Sequence, residues 1–322
     1  MRWLVIGVVL AATLWAAWWV AGSIAVRRGV EAAAVQARAE GWTLEWDDLS
    51  VSGFPNRFDL TLDAPAAAAP DGAWSATAPF VQAFALSYRP NHLIAVAPPE
   101  IRLDGPAGPA LLRQDDLRAS LVVAPGLDLA LRRMIVAGRD LTAEWSGRTL
   151  AIGAGQVALR EADGTAYDLS IGLERIAPPP DLLSTVGETG LPASVGALTA
   201  RATATLDRPL DRTLEGPPDI RALEIERLDL RWGPLSVALR GSLTADAAGQ
   251  AEGTLGLRVE DVDALAEMLE QLIPQGQARL VRGVLSASQG GSADGWIPLT
   301  VAGGAVRFGP LTVGRLPPLA RG

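Results

Sequence analysis

The sequence predicts a mainly β protein: an N-terminal transmembrane helix followed by a large antiparallel, curved or sandwich-like β body with one or two short helices. Three observations predict it. The stretch from Trp3 to Val26 carries no charged side chain. From Trp42 onward the hydrophobic period changes from about 3.6 to 2, the period of a strand with one apolar and one polar face. Glycine and proline, 34 and 23 of 322 residues, punctuate those runs at spacings too short for strand–helix–strand crossovers.

The apolar run at 3–26 makes a helix of roughly 36 Å, enough to cross a hydrocarbon core of about 30 Å. Trp3 stands at one end and Trp15, Trp18 and Trp19 toward the other, positions where indoles favour the membrane interface. Ser23-Ile24-Ala25 offers a small-x-small cleavage site. The run is longer than a signal-peptide core of about 7–15 residues, however, and bulky Trp18 and Trp19 stand just upstream, so the segment reads as a retained anchor. Arg27 and Arg28 follow it as a stop-transfer flank or as lipid-phosphate contacts. Arg2 precedes it, and the arginine count leaves the orientation open. Residues 27–41 continue the helical pattern, with Val26, Val30, Ala33, Ala34 and Ala37 on one face and Gly41 as a stop.

Strand lanes then follow one another. Trp42, Leu44 and Trp46 alternate with polar neighbours, as do Phe58, Leu60, Leu62 and Phe84, Leu86, Tyr88. Further lanes run through Leu117–Val123, Leu127–Leu131, Tyr167–Leu173, Ala200–Leu206, Leu228–Trp232, Leu235–Leu239 and Leu255–Val259. Asp104-Gly105-Pro106, Asp163-Gly164 and Ala248-Gly249 are the expected turns. Two stretches break the alternation. Residues 260–273 place Val262, Leu265, Met268, Leu269 and Leu272 at helical spacing between Asp261 and Pro274. Pro178-Pro179-Pro180 leads into a shorter helix at Asp181-Leu182-Leu183. The run 178–195 is therefore the expected linker between a first β portion, 42–177, and a second, 196–322. A weak repeat links Leu230-Arg231-Trp232-Gly233-Pro234-Leu235 to Val306-Arg307-Phe308-Gly309-Pro310-Leu311, read as duplication or as common hairpin grammar.

Composition narrows the chemistry. All 28 basic residues are arginine, cysteine is absent, and His92 is the single histidine. Thiolate and multi-histidine metal sites, cysteine nucleophiles, Schiff-base lysines and lysine-bearing phosphate loops cannot be built. A net charge of -8 argues against nucleic acid as a partner. His92 reads as a solvated residue in a strand connection. Asp47-Asp48 and Asp115-Asp116 read as solvated turns, because strand neighbours point to opposite faces. Gly153–Gln156 and Gly290-Gly291 lack the setting of a phosphate cradle, and no Gly-x-Ser-x-Gly elbow occurs. The expectation is a protein that is not an enzyme, with no cofactor and no metal.

One segment stands out, Val51-Ser52-Gly53-Phe54-Pro55-Asn56-Arg57-Phe58-Asp59-Leu60. It reads as a bulge or tight turn between strands. It also supplies the candidate lipid or partner contact, formed by Phe54, Arg57 and Phe58. The anchor, the short helix, the Gly41-Trp42-Thr43-Leu44 strand and Gly53-Phe54-Pro55 with Arg57-Phe58-Asp59-Leu60 resemble the bacterial family known as domain of unknown function 2125. Leu239–Asp246, Gly253–Leu257, Asp261–Leu265 and Gly304–Leu311 extend the resemblance over nearly the whole chain. It implies an inner-membrane, single-pass anchor with the bulk of the chain in the periplasm. The layout is also similar to that of AsmA-like envelope proteins, whose anchor precedes a long curved sheet with an apolar lipid-holding face. That is a likeness of architecture alone.

Aliphatic lanes with few large aromatics lead to the functional expectation. It is a periplasmic β protein that binds or transfers lipid or another apolar ligand in cell-envelope maintenance, with membrane lipid as its partner. The alternative is a structural or interaction module that recruits another envelope protein without binding a ligand.

Overall fold

The computed structural model describes residues 1–181, 191–214, 216–261, 283 and 295–321. A single helix, α1 (Arg2–Ala39), opens the chain, so the span and the expected stalk form one uninterrupted rod. It ends where Gly41 takes φ +94°, a conformation that glycine adopts without steric cost. Arg38 fastens this end to the first strand. Its guanidinium donates twice to the Leu44 carbonyl, at 3.0 and 2.6 Å, and lies 5.0 Å from the Trp46 ring. The least exposed stripe of α1 runs through Trp19, Gly22, Val26, Val30, Ala34 and Ala37. That spacing of three and four is the geometry of one helix face.

Every strand pairing described here is antiparallel, and the chain divides into two compact units. The first unit comprises Met1–Pro125 with Val136–Gly147, the second Gly126–Ile135 with Arg148–Gly322. The proline run 178–195 is thus not where the compact units part. It joins β13 (Ala166–Ala177) to β14 (Val195–Leu206), which are adjacent strands in register from Ala166↔Thr205 to Ile176↔Val195. Residues 182–190, with most of the expected short helix, lie outside the described residues. So does the body of the expected helix at 260–273, and so does Gly290-Gly291.

In the first unit the strands are broken in the middle. β1 (Thr43–Glu45), β4 (Ala66–Ala68), β5 (Ser75–Thr77), β8 (Glu100–Gly105), β9 (Gly108–Arg113) and the end of β11 (Leu131–Trp145) form one ladder. β2 (Asp48–Ser52), β3 (Arg57–Asp63), β6 (Phe80–Leu86), β7 (Arg89–Val96) and β10 (Arg118–Val123) form a second. The crease between the two ladders collects Pro65, Pro79, Pro98 and Pro99, residues that have no N–H to give to a ladder. Gln114 is buried there and takes over part of the bonding. Its Nε2 donates to the Ala97 and Pro98 carbonyls at 3.1 and 2.6 Å, and its Oε1 accepts the Leu117 N–H.

The second unit is a meander. β12 (Arg148–Asp163), β13, β14, β15 (Ile220–Trp232), β16 (Leu235–Ala245), β17 (Ala251–Val259), β18 (Ile297–Ala302), β19 (Ala305–Phe308) and β20 (Leu311–Arg315) each pair with the next. The sheet is open, so the sandwich-like form of the expectation is not the one adopted. Both Gly-Pro repeats are the turns of tight hairpins, closing Trp232↔Leu235 and Phe308↔Leu311, with Gly233 at φ +57° and Gly309 at φ +55°.

Two local expectations change. His92 lies within β7, not in a connection, because the turn falls earlier at Ser87-Tyr88. Leu127, Leu129 and Leu131 are not a strand lane. Pro125-Gly126 break the chain, Leu129 turns to φ +49°, and the strand begins only at Leu131.

Candidate functional site

Register carries an unbroken apolar face across the second unit. One row reads Val157, Ile171, Ala200, Leu228, Leu239, Leu257, Ile297 from β12 to β18. The next reads Leu159, Leu169, Ala202, Ile225, Gly241, Leu255, Leu299. The bulge in β15 sets Glu226 and Arg227 together against the single residue Arg240, so that Ile225 and Leu228 both stay on the apolar face. From β16 to β19 the face carries buried core residues, with Leu239 and Leu257 half-buried among them. Leu243, Leu255, Leu299 and Val301 are buried, with Leu316 and Leu319 of the C-terminal segment packed on them. From β12 to β15 the residues of these two rows are half-buried, while Tyr167 on the same lane of β13 is fully buried.

The opposite face of the same strands is polar. Arg160, Asp168, Thr203, Glu224, Ser242 and Thr254 share a row. Arg160 bonds Asp168 at 2.7 Å and Thr203 donates to it at 3.1 Å. The bond from Arg160 holds the Asp168 carboxyl below its usual range, against the opposing pull of partial desolvation, and the bond from Thr203 adds to the lowering. Two shallow concavities lie in this unit. One, of about 320 Å³, is bordered by Arg133, Arg160, Asp168 and Arg201. The other, of about 530 Å³, is bordered by Arg240 and Trp296. There the Arg240 guanidinium stacks 4.1 Å above the Trp296 ring, a cation–π contact.

The sequence-predicted contact residues meet in the first unit. Gly53-Phe54-Pro55-Asn56 is the turn from β2 to β3. Gly53 sits at φ +97°, with no room for a Cβ beside the Asp59 carboxyl and the Arg57 carbonyl. Phe54 is exposed and Phe58 is buried. Arg57 reaches Asp59 at 2.6 Å, and the Asp59 Oδ1 is buried without a hydrogen-bond partner. Against this turn stand three indoles of α1. Trp15 donates to the Pro55 carbonyl at 3.0 Å, Trp18 to the Ser87 carbonyl at 3.2 Å and Trp19 to the Arg57 carbonyl at 2.7 Å. Trp19 also meets Phe54 edge-on at 5.4 Å and Phe58 at 6.2 Å. Gly22, one turn further on, lets the Phe58 ring touch the helix backbone.

Trp15, Trp18 and Trp19 therefore join Phe54, Arg57 and Phe58 in one cluster. Trp3 stands apart at the free end of the helix, fully solvated. Arg27 and Arg28 are exposed, and Arg27 pairs with Glu31 at 3.2 Å. Sequence reasoning missed Ser87, which is fully buried beside the cluster, and Gly22. Helical spacing of 15, 18, 19 and 22 was the available signal for Gly22. Nothing in the sequence marks Ser87. His92 is half-buried and its Nε2 lies 3.0 Å from the Ser120 hydroxyl across the β7–β10 pair. Asp116 is engaged by Arg139 at 2.6 Å and by Arg118.

No curated protein and no solved structure matches the chain. The family model described as "Uncharacterized protein conserved in bacteria" (DUF2125) matches residues 18–317. The match takes in Trp18, Trp19, the β2–β3 turn and both faces of the sheet, and the chain belongs to that bacterial family.

Proposed function

We propose that the protein is a membrane-tethered β scaffold that holds or passes an apolar ligand, acyl chains above all, in upkeep of the bacterial envelope. In this reading α1 anchors it once in the inner membrane and the body lies in the periplasm. The observation that carries the reading is the aliphatic face of β12 to β15, left half-buried while the same face is covered from β16 onward. An apolar strip only partly buried over this length is the kind of surface that takes up an apolar ligand. Strands stand about 4.8 Å apart, so β12 to β15 offer roughly 14 Å of hydrocarbon surface. That is close to the depth of about 15 Å which one leaflet's chains occupy in a 30 Å core. The rows are built of leucine, isoleucine, valine and alanine, which present a smooth surface without hydrogen-bonding groups. The same reading assigns the protein no catalysis and no cofactor.

The test is to purify the full chain in mild detergent and identify bound lipid by mass spectrometry. Lipid should accompany the wild-type chain and be lost from Ile171→Glu, which places a charge in the middle of a row. A photo-crosslinking residue at position 169 should label lipid. A lipid-free preparation with no lipid adduct would sink the reading.

A second reading has its own observation. Among the described residues β20 pairs on one side only, with β19, and Val313 on it is exposed. Such an edge takes a partner's strand by β-augmentation. Discrete protein adducts from a crosslinker at position 313, without lipid at position 169, would favour this interaction module.

A further inference from the structure

The length of α1 that stands clear of the body is too short to cross a membrane. Residues 1–14 are all exposed. From Trp3 to Leu14 the helix rises about 18 Å, against roughly 30 Å of hydrocarbon. A span that starts at Trp3 needs about 20 residues and reaches Gly22. Yet Trp15, Trp18 and Trp19 are already bonded to the β2–β3 and β6–β7 turns, and Gly22 is pressed on Phe58. The last part of the span is therefore shared with the sheet.

The chemistry of those turns agrees with that placement. A turn carbonyl in water needs no special partner, whereas one in hydrocarbon costs several kcal/mol if left unmade. Here the Pro55, Arg57 and Ser87 carbonyls each receive an indole N–H from the helix. The Ser87 N–H is taken up by the Asn56 carbonyl at 2.9 Å. What the two turns direct outward is aromatic, since Phe54 and Tyr88 are each 59% exposed. Arg57 and Arg89 flank them with long stems, which let a guanidinium reach phosphates from below.

We propose that the turns Gly53–Arg57 and Ser87–Arg89 are sunk into the leaflet beside α1, with Phe54 and Tyr88 against acyl chains. Counting from Trp3, the Trp15 and Trp19 levels lie about 12 and 6 Å inside the far boundary of the hydrocarbon core. The Trp19 level falls within the penetration of about 5–10 Å typical of interfacial elements, and the Trp15 level lies slightly deeper. The proposal rests on the reading of α1 as an anchor. It does not depend on the ligand assigned to the second unit.

The absence of native cysteine makes the test direct. Full-length F54C, Y88C and N56C variants, with D71C at the exposed turn between β4 and β5 as the distant control, are labelled with an environment-sensitive fluorophore. They are reconstituted in phosphatidylcholine vesicles carrying a nitroxide at a shallow acyl position. The labels at 54 and 88 should lose more than half their emission to the lipid nitroxide and resist aqueous iodide. The label at 71 should behave in the opposite way. Protein that floats with the vesicles but shows iodide quenching at 54, 56 and 88 overturns the immersion while sparing the anchor. Protein that does not float overturns the anchor and the immersion with it.

Discussion

Gly22 shows how one side chain, or its absence, sets the docking of a helix. A Cβ there would overlap the Phe58 ring, whereas Gly7 has no neighbour within 4 Å. Gly22→Leu should therefore push α1 off the sheet and cost about 1–3 kcal/mol, the usual range for overpacking. Gly7→Leu should be neutral, and thermal unfolding in detergent would show the contrast. Asp168 offers a pH-dependent counterpart. Its carboxyl is held below the usual range by Arg160. The pair stabilises the fold above the unfolded carboxylate pKa of about 3.9, and that contribution fades as pH falls through the lower folded value. Both partners are well exposed, so the effect should stay near that of surface ion pairs, about 0.2–1 kcal/mol. Asp168→Asn should flatten the acid limb of a melting-temperature profile, and an unchanged limb would refute the assignment. At this scale the sequence was partly legible. Phe54, Arg57 and Phe58 stood out because glycine and proline interrupt a strand there. Ser87 did not, since its burial depends on a turn meeting a helix about seventy residues away.

At the level of elements, period-2 alternation located most strands, and the Gly-Pro pairs located two hairpins. What alternation could not show was the crease of the first unit. Each proline there looks like a turn signal, yet Pro65, Pro79 and Pro98-Pro99 mark bends within continuing runs of chain. Long-range bonds such as Ala64 to Pro79 and Gln114 to Pro99 carry the pairing across. Leu127–Leu131 misled for a related reason: its spacing is that of a strand, but Gly126 releases the backbone before the pattern begins. Gln114 is the side chain on which the crease most depends. Gln114→Leu should leave the Ala97 and Pro98 carbonyls and the Leu117 N–H without their partner. At about 1–3 kcal/mol for each buried group left unsatisfied, the variant should unfold at clearly lower urea concentration. An unchanged midpoint would mean that water replaces the amide.

For the whole molecule, the informative contrast lies within a single sheet, where one apolar face holds a buried core at one end and is half-buried at the other. The C-terminal segment supplies the cover. Ending the chain after Arg315 removes Leu316 and Leu319 from Leu243, Leu299 and Val301, and should raise the binding of a hydrophobic dye while lowering the melting temperature. No change in dye binding would show that the cover is not what keeps that end dry. Fold class and the long apolar helix were legible because they rest on alternation and on an uncharged run of residues. The half-buried face was not, because it depends on which segment packs on which row. Finally, α1 is gripped by the sheet at Trp15–Gly22 and again at Arg38. A lone helix answers a change in bilayer thickness by tilting. With α1 spanning the bilayer as proposed, the helix would carry the strands of the first unit along, so a change in bilayer thickness would become a turning force on that unit.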